Sequence, residues 1–343
     1  MKKLHLIDKI VFVFNTILAA VLLVSFVLPY LPPKTFSQLS VLSLSVPFLI
    51  VVNVLFFLYW LLKVKRQLVL SLLILIIGYV FYGSLYKFSS SEDSDINTDD
   101  AFKVMNYNVR LFNLYKWIPQ QDVDVKIVDF IKEQAPDILS IQEYHPDSRI
   151  DLSFFKYRYD KLSGKHTKHG QVILSQFPIV NSGSVEFPNT ANNAIYADVV
   201  KGNDTIRVYN IHLESLRIDT DVDKLKEEGS ERLFKVAGST FKMQQFQTEL
   251  FLLHKRQCHY KMIICGDFNN TAFSYVYRKI KGDLNDTFKE AGNGFGRTYD
   301  FRFFPVRIDF IFADEAFAVN KFKTFDDHFS DHYPIMTTLS LKQ

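Results

Sequence analysis

Three long runs without a charged side chain open the sequence and set the first limit on its fold. Residues 11–31 read VFVFNTILAAVLLVSFVLPYL, residues 39–62 end in FFLYWLL, and residues 68–86 end in GYVFYGSLY. A bilayer crossing needs about 20 mostly apolar residues, and each run is near that length. A core helix of a soluble domain normally keeps one polar stripe, which none of the three displays. The first run is also longer than the apolar stretch of about 7–15 residues in a secretory signal, and no small-x-small cleavage site follows it. Residues 1–87 are therefore expected to be an anchor of three transmembrane helices.

The flanking charges orient it. Lys2, Lys3 and Lys9 precede the first run, and Lys63, Lys65 and Arg66 separate the second from the third. The loop between the first two carries only Lys34. Basic loops stay in the cytoplasm, so the third crossing places everything after Tyr86 on the non-cytoplasmic side of the cell (inner) membrane. Tyr30, Tyr59, Trp60, Tyr82 and Tyr86 lie near the run ends, where aromatic rings favour the interface. Residues 88–100, FSSSEDSDINTDD, read as an acidic linker that repels anionic headgroups and holds the next domain slightly off the surface.

Residues 101–343 form the soluble part. With 48% apolar residues in the chain, intrinsic disorder is excluded. Two cysteines exclude a disulfide-stapled scaffold; Cys258 and Cys265 are expected to be free thiols, with a single disulfide between them the alternative on an oxidising side. The first 100 residues hold 8 Lys/Arg and 6 Asp/Glu, leaving 32 and 31 for the rest. That balance argues against a nonspecific duplex-binding protein, whose affinity comes from neutralised phosphates.

Hydropathy patterning predicts strands at 102–109, 137–142, 171–174, 261–265, 307–312 and 335–341. A hairpin of 194–200 and 205–213 turns at Lys201-Gly202-Asn203-Asp204. Val123, Ile127, Phe130 and Ile131 have helical spacing over 123–134, and 242–254 reads as a second amphipathic helix. Hairpins with intervening helices suggest two sheets packed face to face and flanked by helices.

Polar residues gather at the strand ends: Asn108, Glu143, Asn210, His212, Asp267, Asn269, Asp309, Asp331 and His332. Taken singly, each has a plain reading as a turn former or a solvated side chain. Taken together, they are mostly oxygen donors with two imidazoles. Such a set suits Mg²⁺ or Mn²⁺ better than zinc. A hard cation beside two histidines suits hydrolysis of a phosphate ester.

The stretches MNYNVR, ILSIQEY, GQVILSQFPI, YNIHLES, IICGDFNN, RIDFIF and SDHYPI occur in an order that resembles the endonuclease/exonuclease/phosphatase superfamily. That group includes deoxyribonuclease I, exonuclease III, neutral sphingomyelinases and inositol polyphosphate 5-phosphatases. The string from GDFNN through GFGRTY to RIDFIF is similar to its membrane-attached bacterial branch. The resemblance implies an α/β fold, a four-layered α/β sandwich of the deoxyribonuclease I type, here preceded by three transmembrane helices. It implies Mg²⁺ (or Mn²⁺) held by Glu143, with Asn108 beside it and Asp331 completing the site. His332, oriented by Asp309, would contact the scissile phosphate or act as acid or base. His212 would donate to a phosphate oxygen, Asp267 would position or deprotonate water, and Asn269 would hold a phosphate oxygen. The sequence departs from common relatives in NTAFSYVYR, which lacks a proline after GDFN, and in Glu214, where sphingomyelinase-like members often carry Gln. Both changes bear on the substrate loops.

Weaker candidates are the loop 163–170 with Lys165, His166, Lys168 and His169, better read as solvated surface than as a phosphate grip. Arg297 in the Gly-rich loop is a candidate phosphate contact, and segment 214–242 is a lid or a variable insertion. The expected activity is that of a membrane-anchored, metal-dependent phosphoesterase. Its partners would be the bilayer and a phosphate ester: lipid, inositol phosphate or nucleic acid. The alternatives are a nuclease outside the cytoplasm and a noncatalytic binding protein of the same fold. No protein partner can be inferred. A reporter enzyme fused after Leu341 should be active only if it functions outside the cytoplasm; a cytoplasmic signal would reverse the orientation.

Overall fold

The computed structural model describes residues 4–83, 85–88, 100–216, 230–301 and 304–342. The acidic run at 89–99 and the middle of the expected lid, 217–229, lie outside the described residues.

Helix α1 (Leu6–Ser25) continues through a 3₁₀ turn to Tyr30. The second apolar run is divided into α2 (Pro33–Val41), a 3₁₀ turn over Leu42–Ser45, and α3 (Val46–Leu62). Two helical stretches, Leu6–Tyr30 and Pro33–Leu62, are long and apolar enough to cross a membrane. The third expected span forms a shorter helix, α4 (Leu68–Tyr82), of 15 residues. It ends at Gly83, whose φ of +46° is the left-handed conformation that commonly stops a helix. The described residues that close the 68–86 run, 83, 85 and 86, are thus not helical. One buried amide ties the three apolar helices together. Asn15 Nδ2 on α1 donates to Ser71 Oγ on α4 at 2.8 Å, and Trp60 Nε1 on α3 donates to Asn15 Oδ1 at 2.9 Å.

Among the described residues, the part after the apolar helices holds two six-stranded mixed sheets. The first runs β11 (Phe317–Thr324), β12 (Ile335–Leu341), β1 (Phe102–Asn108), β2 (Ile138–Tyr144), β4 (His169–Ser175) and β3 (Tyr157–Ser163). The second runs β5 (Ile179–Glu186), β6 (Asn193–Lys201), β7 (Asp204–His212), β8 (Lys261–Asp267), β10 (Asp309–Ala313) and β9 (Asn285–Asp286). Each has one parallel pair, β1/β2 and β7/β8. The connections are α5 (Val123–Gln134) and the long α6 (Ser230–Lys255), since parallel neighbours need a crossover. Val104, Ile138 and Ile173 from one sheet and Ile195, Val208 and Ile263 from the other share one core between the sheets. Helix α5 seals the outer face of the first sheet through Ile127 and Ile131. Phe251 of α6 and Val276 and Ile280 of α7 (Tyr275–Lys281) seal the second.

The patterning placed every interior strand. It left out β3, β5, β9 and β11, which are the four sheet edges. An edge strand is paired on one side only, and β3 and β5 carry half-exposed or exposed side chains along most of their length. Alternation is faint in such strands. Helix α6 begins at Ser230 rather than at the expected 242. Its early turns pack Ala237 and Phe241 against Val41 of α2, a face that exists only when the two meet.

The soluble domain rests directly on the helix ends instead of standing off them. Lys34 N donates to Gln245 Oε1 at 2.8 Å, and its ammonium pairs with Glu249. Arg278 Nε donates to the Pro29 carbonyl at 3.0 Å, with its guanidinium 4.3 Å from the Tyr30 ring centre.

Asp286 and Arg307 are buried together near β9. Arg307 Nη1 donates to both Asp286 oxygens at 2.9 and 3.0 Å, and Tyr277 Oη donates to Oδ2 at 2.7 Å. Asp286 also caps α8 (Thr287–Ala291) by accepting from Phe288 N. Asp286→Ala should lower stability by about 3–5 kcal/mol in denaturant titrations of the full chain in detergent, because it strands a buried guanidinium.

Candidate active site

The four parallel strands end on one side of the sandwich, and each ends in a functional side chain. Asn108 closes β1, Glu143 lies near the end of β2, His212 closes β7 and Asp267 closes β8. In register, His212 stands opposite Asp267, and Asp309 at the start of β10 stands opposite Asp267 on the other flank. Asp331 and His332 precede β12, whose first residue pairs with Asn106 of β1. All eight site residues expected from the sequence thus share one edge of the two sheets.

Asp267 is the hub, with 0% of its surface exposed. Asn108 Nδ2 crosses from the other sheet to donate to Oδ2 at 3.0 Å. Asn269 gives its backbone N–H to Oδ1 at 2.8 Å and its side-chain amide to Oδ2 at 3.2 Å. Asn269 makes this return in the left-handed region, at φ +49°, a conformation Asn tolerates. The Nε2 atoms of His212 and His332 each stand 3.7 Å from Asp267 Oδ2. Burial is the main reason the Asp267 carboxyl is pushed up, to about 6, while the two imidazoles and the Asn269 N–H resist.

The two imidazoles shift in opposite directions. Burial pushes His212 down, towards the neutral form. Burial would do the same to His332, but the carboxylates of Asp309 and Asp267 outweigh it and hold that imidazolium up to about 10. Asp309 Oδ2 lies 2.9 Å from His332 Nδ1. The backbone N–H of Asp309 is fixed by Thr298 Oγ1 at 3.0 Å. Ser330 Oγ accepts from His332 N at 3.2 Å and donates to the Asn108 carbonyl at 2.8 Å, tying the two loops together.

Glu143 is raised by burial and by the nearby Asp331 carboxylate. Its φ of +51° is strained for a side chain of this size, and such strain concentrates at functional sites. Arg110 to Asn113 follow β1 with four consecutive positive φ values. That turn brings Arg110 Nη1 to 3.2 Å from Asp331 and its N–H to 3.1 Å from Asn108 Oδ1. Arg110 and Tyr299, whose ring centre is 5.0 Å from that of His332, were not singled out from the sequence. The Arg in MNYNVR, directly after the Asn108 motif, was the available signal; nothing marked Tyr299.

Asn210 takes a different place. It is buried between the sheets, accepting from Gln142 Nε2 at 2.6 Å and donating to the carbonyls of Ile141 and Val172. It is a strut between the sheets, one step below the site. Lys165 and His166 are exposed, whereas His169 lines a cavity of about 220 Å³ with Glu143, Gln171, Asn193 and His212.

Asp267, Asp309 and His332 present ligand-type atoms within 4.8 Å of one another, a buried cluster capable of coordinating a divalent ion. Glu143 and Asp331 are a second oxygen-donor set. The Asp331 carboxylate raises Glu143, which a cation between them would relieve; in the first cluster Asp309 Oδ1 is buried without a hydrogen-bond partner among the described residues.

The sequence profile of the Endonuclease/Exonuclease/phosphatase family matches residues 105–332, and that of a domain of unknown function matches residues 8–85. Solved structures share the fold at low identity. An endonuclease/exonuclease/phosphatase from Bacteroides vulgatus is 17% identical with a TM-score of 0.53, covering 71% of this chain and 99% of that one. The human Nocturnin catalytic domain with bound sulfate is 18% identical with a TM-score of 0.52, covering 71% and 94%. An endonuclease/exonuclease/phosphatase from Beutenbergia cavernae is 19% identical with a TM-score of 0.52, covering 71% and 72%. No curated protein matches the chain.

In protein with ¹³C-labelled histidine, the His332 ring resonance should titrate near pH 10. In Asp309→Asn it should titrate roughly 1–3 pH units lower. An unchanged midpoint would remove Asp309 as the group that holds the charge.

Proposed function

The chain belongs to the Endonuclease/Exonuclease/phosphatase family, and on that premise we propose that it is a membrane-anchored, divalent-metal-dependent phosphoesterase. The observation that carries this reading is the pair of imidazoles, His212 and His332, each with Nε2 3.7 Å from the buried Asp267 carboxylate.

Of the two oxygen-donor sets, we assign the cation to Glu143 and Asp331, with Asn108 beside them. In the other set His332 Nδ1 is already engaged by Asp309 at 2.9 Å, which leaves fewer free donor atoms there. A bound Mg²⁺ or Mn²⁺ would neutralise the phosphate and stabilise the leaving oxygen. The chain's own residues do the rest. Asp267, ionised at neutral pH and aimed by Asn108 and Asn269, takes the proton of the attacking water. His332 brings a fixed positive charge to the phosphate oxygens as they gain negative charge, which is differential binding of the transition state. His212, neutral, donates one N–H to the same group. Asn269 is a further donor for a phosphate oxygen.

The arrangement of the helices supports three crossings with the catalytic domain on the non-cytoplasmic side. Lys63 pairs with Asp8 at the end where α1 begins and α3 ends, and Lys65 and Arg66 follow at once. The opposite ends, at Tyr30 and Lys34, meet the domain. The basic end and the catalytic domain thus lie on opposite sides of the bundle. We read residues 1–87 as the anchor, 88–100 as the linker and 101–343 as the catalytic domain. Membership of a bacterial branch rests on the GDFNN to RIDFIF string alone.

With the purified full chain, hydrolysis of a chromogenic phosphodiester should require Mg²⁺ or Mn²⁺ and stop with EDTA. Glu143→Ala should abolish it, and His332→Ala should lower kcat by at least about 10²-fold. Metal-independent turnover, or a His332→Ala variant near wild type, would sink the assignment.

A further inference from the structure

We propose that the junction between the apolar helices and the catalytic domain is a binding site for one alkyl chain of a bilayer phospholipid, and that this lipid is presented to the catalytic site from the membrane. The second half rests on the phosphoesterase reading above. The first half does not.

A cavity of about 540 Å³ lies where the two parts meet. Phe26, Val54, Leu75 and Tyr79 line it from the three apolar helices, and Phe273 and Phe295 from the catalytic domain. The volume falls within the range of about 300–1,000 Å³ typical of ligand sites. Its helical walls remain open outwards, with Val54 37% and Tyr79 58% exposed. Val54 lies on a helix long and apolar enough to cross a bilayer and Tyr79 on a shorter apolar one, so a bilayer around these helices would put lipid at the mouth. Tyr79, Tyr86 and Phe88 surround the domain end, in the place aromatic rings take at a headgroup boundary. An alkyl chain is the occupant this lining solvates best.

Both domain residues lead from the cavity to the catalytic residues. Phe273 packs among Leu22, Val46 and Ile74 of the apolar helices, six positions after the Asp267 hub. Phe295 sits at the cavity, and four positions later Tyr299 packs on His332. Four residues span at most about 14 Å. Between them, Arg297 places its guanidinium 4.1 Å from the Tyr333 ring centre, beside His332. The loop is pinned at its start. Lys87 N donates to the Gly294 carbonyl at 2.9 Å, and Gly294 N returns the bond at 3.0 Å. Gly296 has φ +59°, and a Cβ there would come within 2.3 Å of the Phe288 ring, so the loop's path requires glycine. Phe295 also lines an adjoining, more polar cavity with Asn293, Arg297 and Asp326. A chain in the apolar cavity would therefore carry its phosphate towards a cationic side chain on the way to His332.

The test uses the full chain purified in mild detergent from phosphatidylethanolamine and phosphatidylglycerol nanodiscs. Native mass spectrometry should find one phospholipid retained per chain, also in Glu143→Ala. Val54→Trp, which fills the cavity, should lose it. Phe295→Asp, which puts a charge at its mouth, should lose it too and guards against misfolding of the first variant. In both variants the ratio of phospholipid turnover to turnover of a chain-free aryl phosphodiester should fall at least about tenfold. No retained phospholipid in the wild type, or retention unchanged in both variants, would overturn the site. A photo-crosslinker at Phe295 that captures a peptide of this chain instead of a lipid would do so as well. If neither substrate is hydrolysed, the phosphoesterase reading fails, while the retained-lipid count still decides the cavity.

Discussion

A fully buried carboxylate has to be satisfied from every side, and Asp267 sets the terms for the rest of the two-sheet part. Its partners come from both sheets: Asn108 from one, His212 from the other, with Asn269 from its own loop and His332 from the loop before β12. A shift of either sheet by one residue would turn Asn108 or Asp267 to the opposite face and leave a bare buried charge, which costs several kcal/mol. The hydrogen bonds among Asn106, Gln142 and Asn210 fix the sheet spacing one layer below. The polar interior therefore holds the site in register while the apolar core supplies the stabilisation.

The electrostatics follow from that geometry. Two imidazoles equally distant from one carboxylate shift in opposite directions: Glu214 does not offset the burial of His212, whereas His332 has Asp309 directly at Nδ1. Asp309 at His332 Nδ1 makes the difference. No further device is needed to produce a fixed cation and a neutral donor a few ångströms apart.

The apolar helices are also part of this structure rather than a leash. Gln244 of α6 donates to the carbonyls of Glu214 and Asn269 and accepts from Asn270, steadying the loop that follows Asp267. The next residue of the same helix, Gln245, accepts from the backbone of Lys34 on α2. One helix thus touches the loop after Asp267 on one side and the apolar helices on the other. A loop seated on the anchor through Phe273 cannot take its position independently of it.

The sequence by itself determined the apolar helices, every interior strand, both crossover helices and the eight polar residues that meet at one edge. These signals are local: runs of apolar side chains, alternation, and carboxylates or amides directly after a buried strand. What only the tertiary structure decided depends on partners far along the chain. The edge strands β3, β5, β9 and β11 have weak patterns because solvent takes one of their sides. The helix of the second run starts at Pro33, in the expected loop, because α6 offers 33–41 a surface to pack on. Asn210, grouped with the site from its position in YNIH, became a strut because Gln142 reaches it from the other sheet. The charge state of His332 is likewise invisible in SDHYPI, since Asp309, the carboxylate that sets it, stands 23 residues away and is brought to 2.9 Å only by the fold.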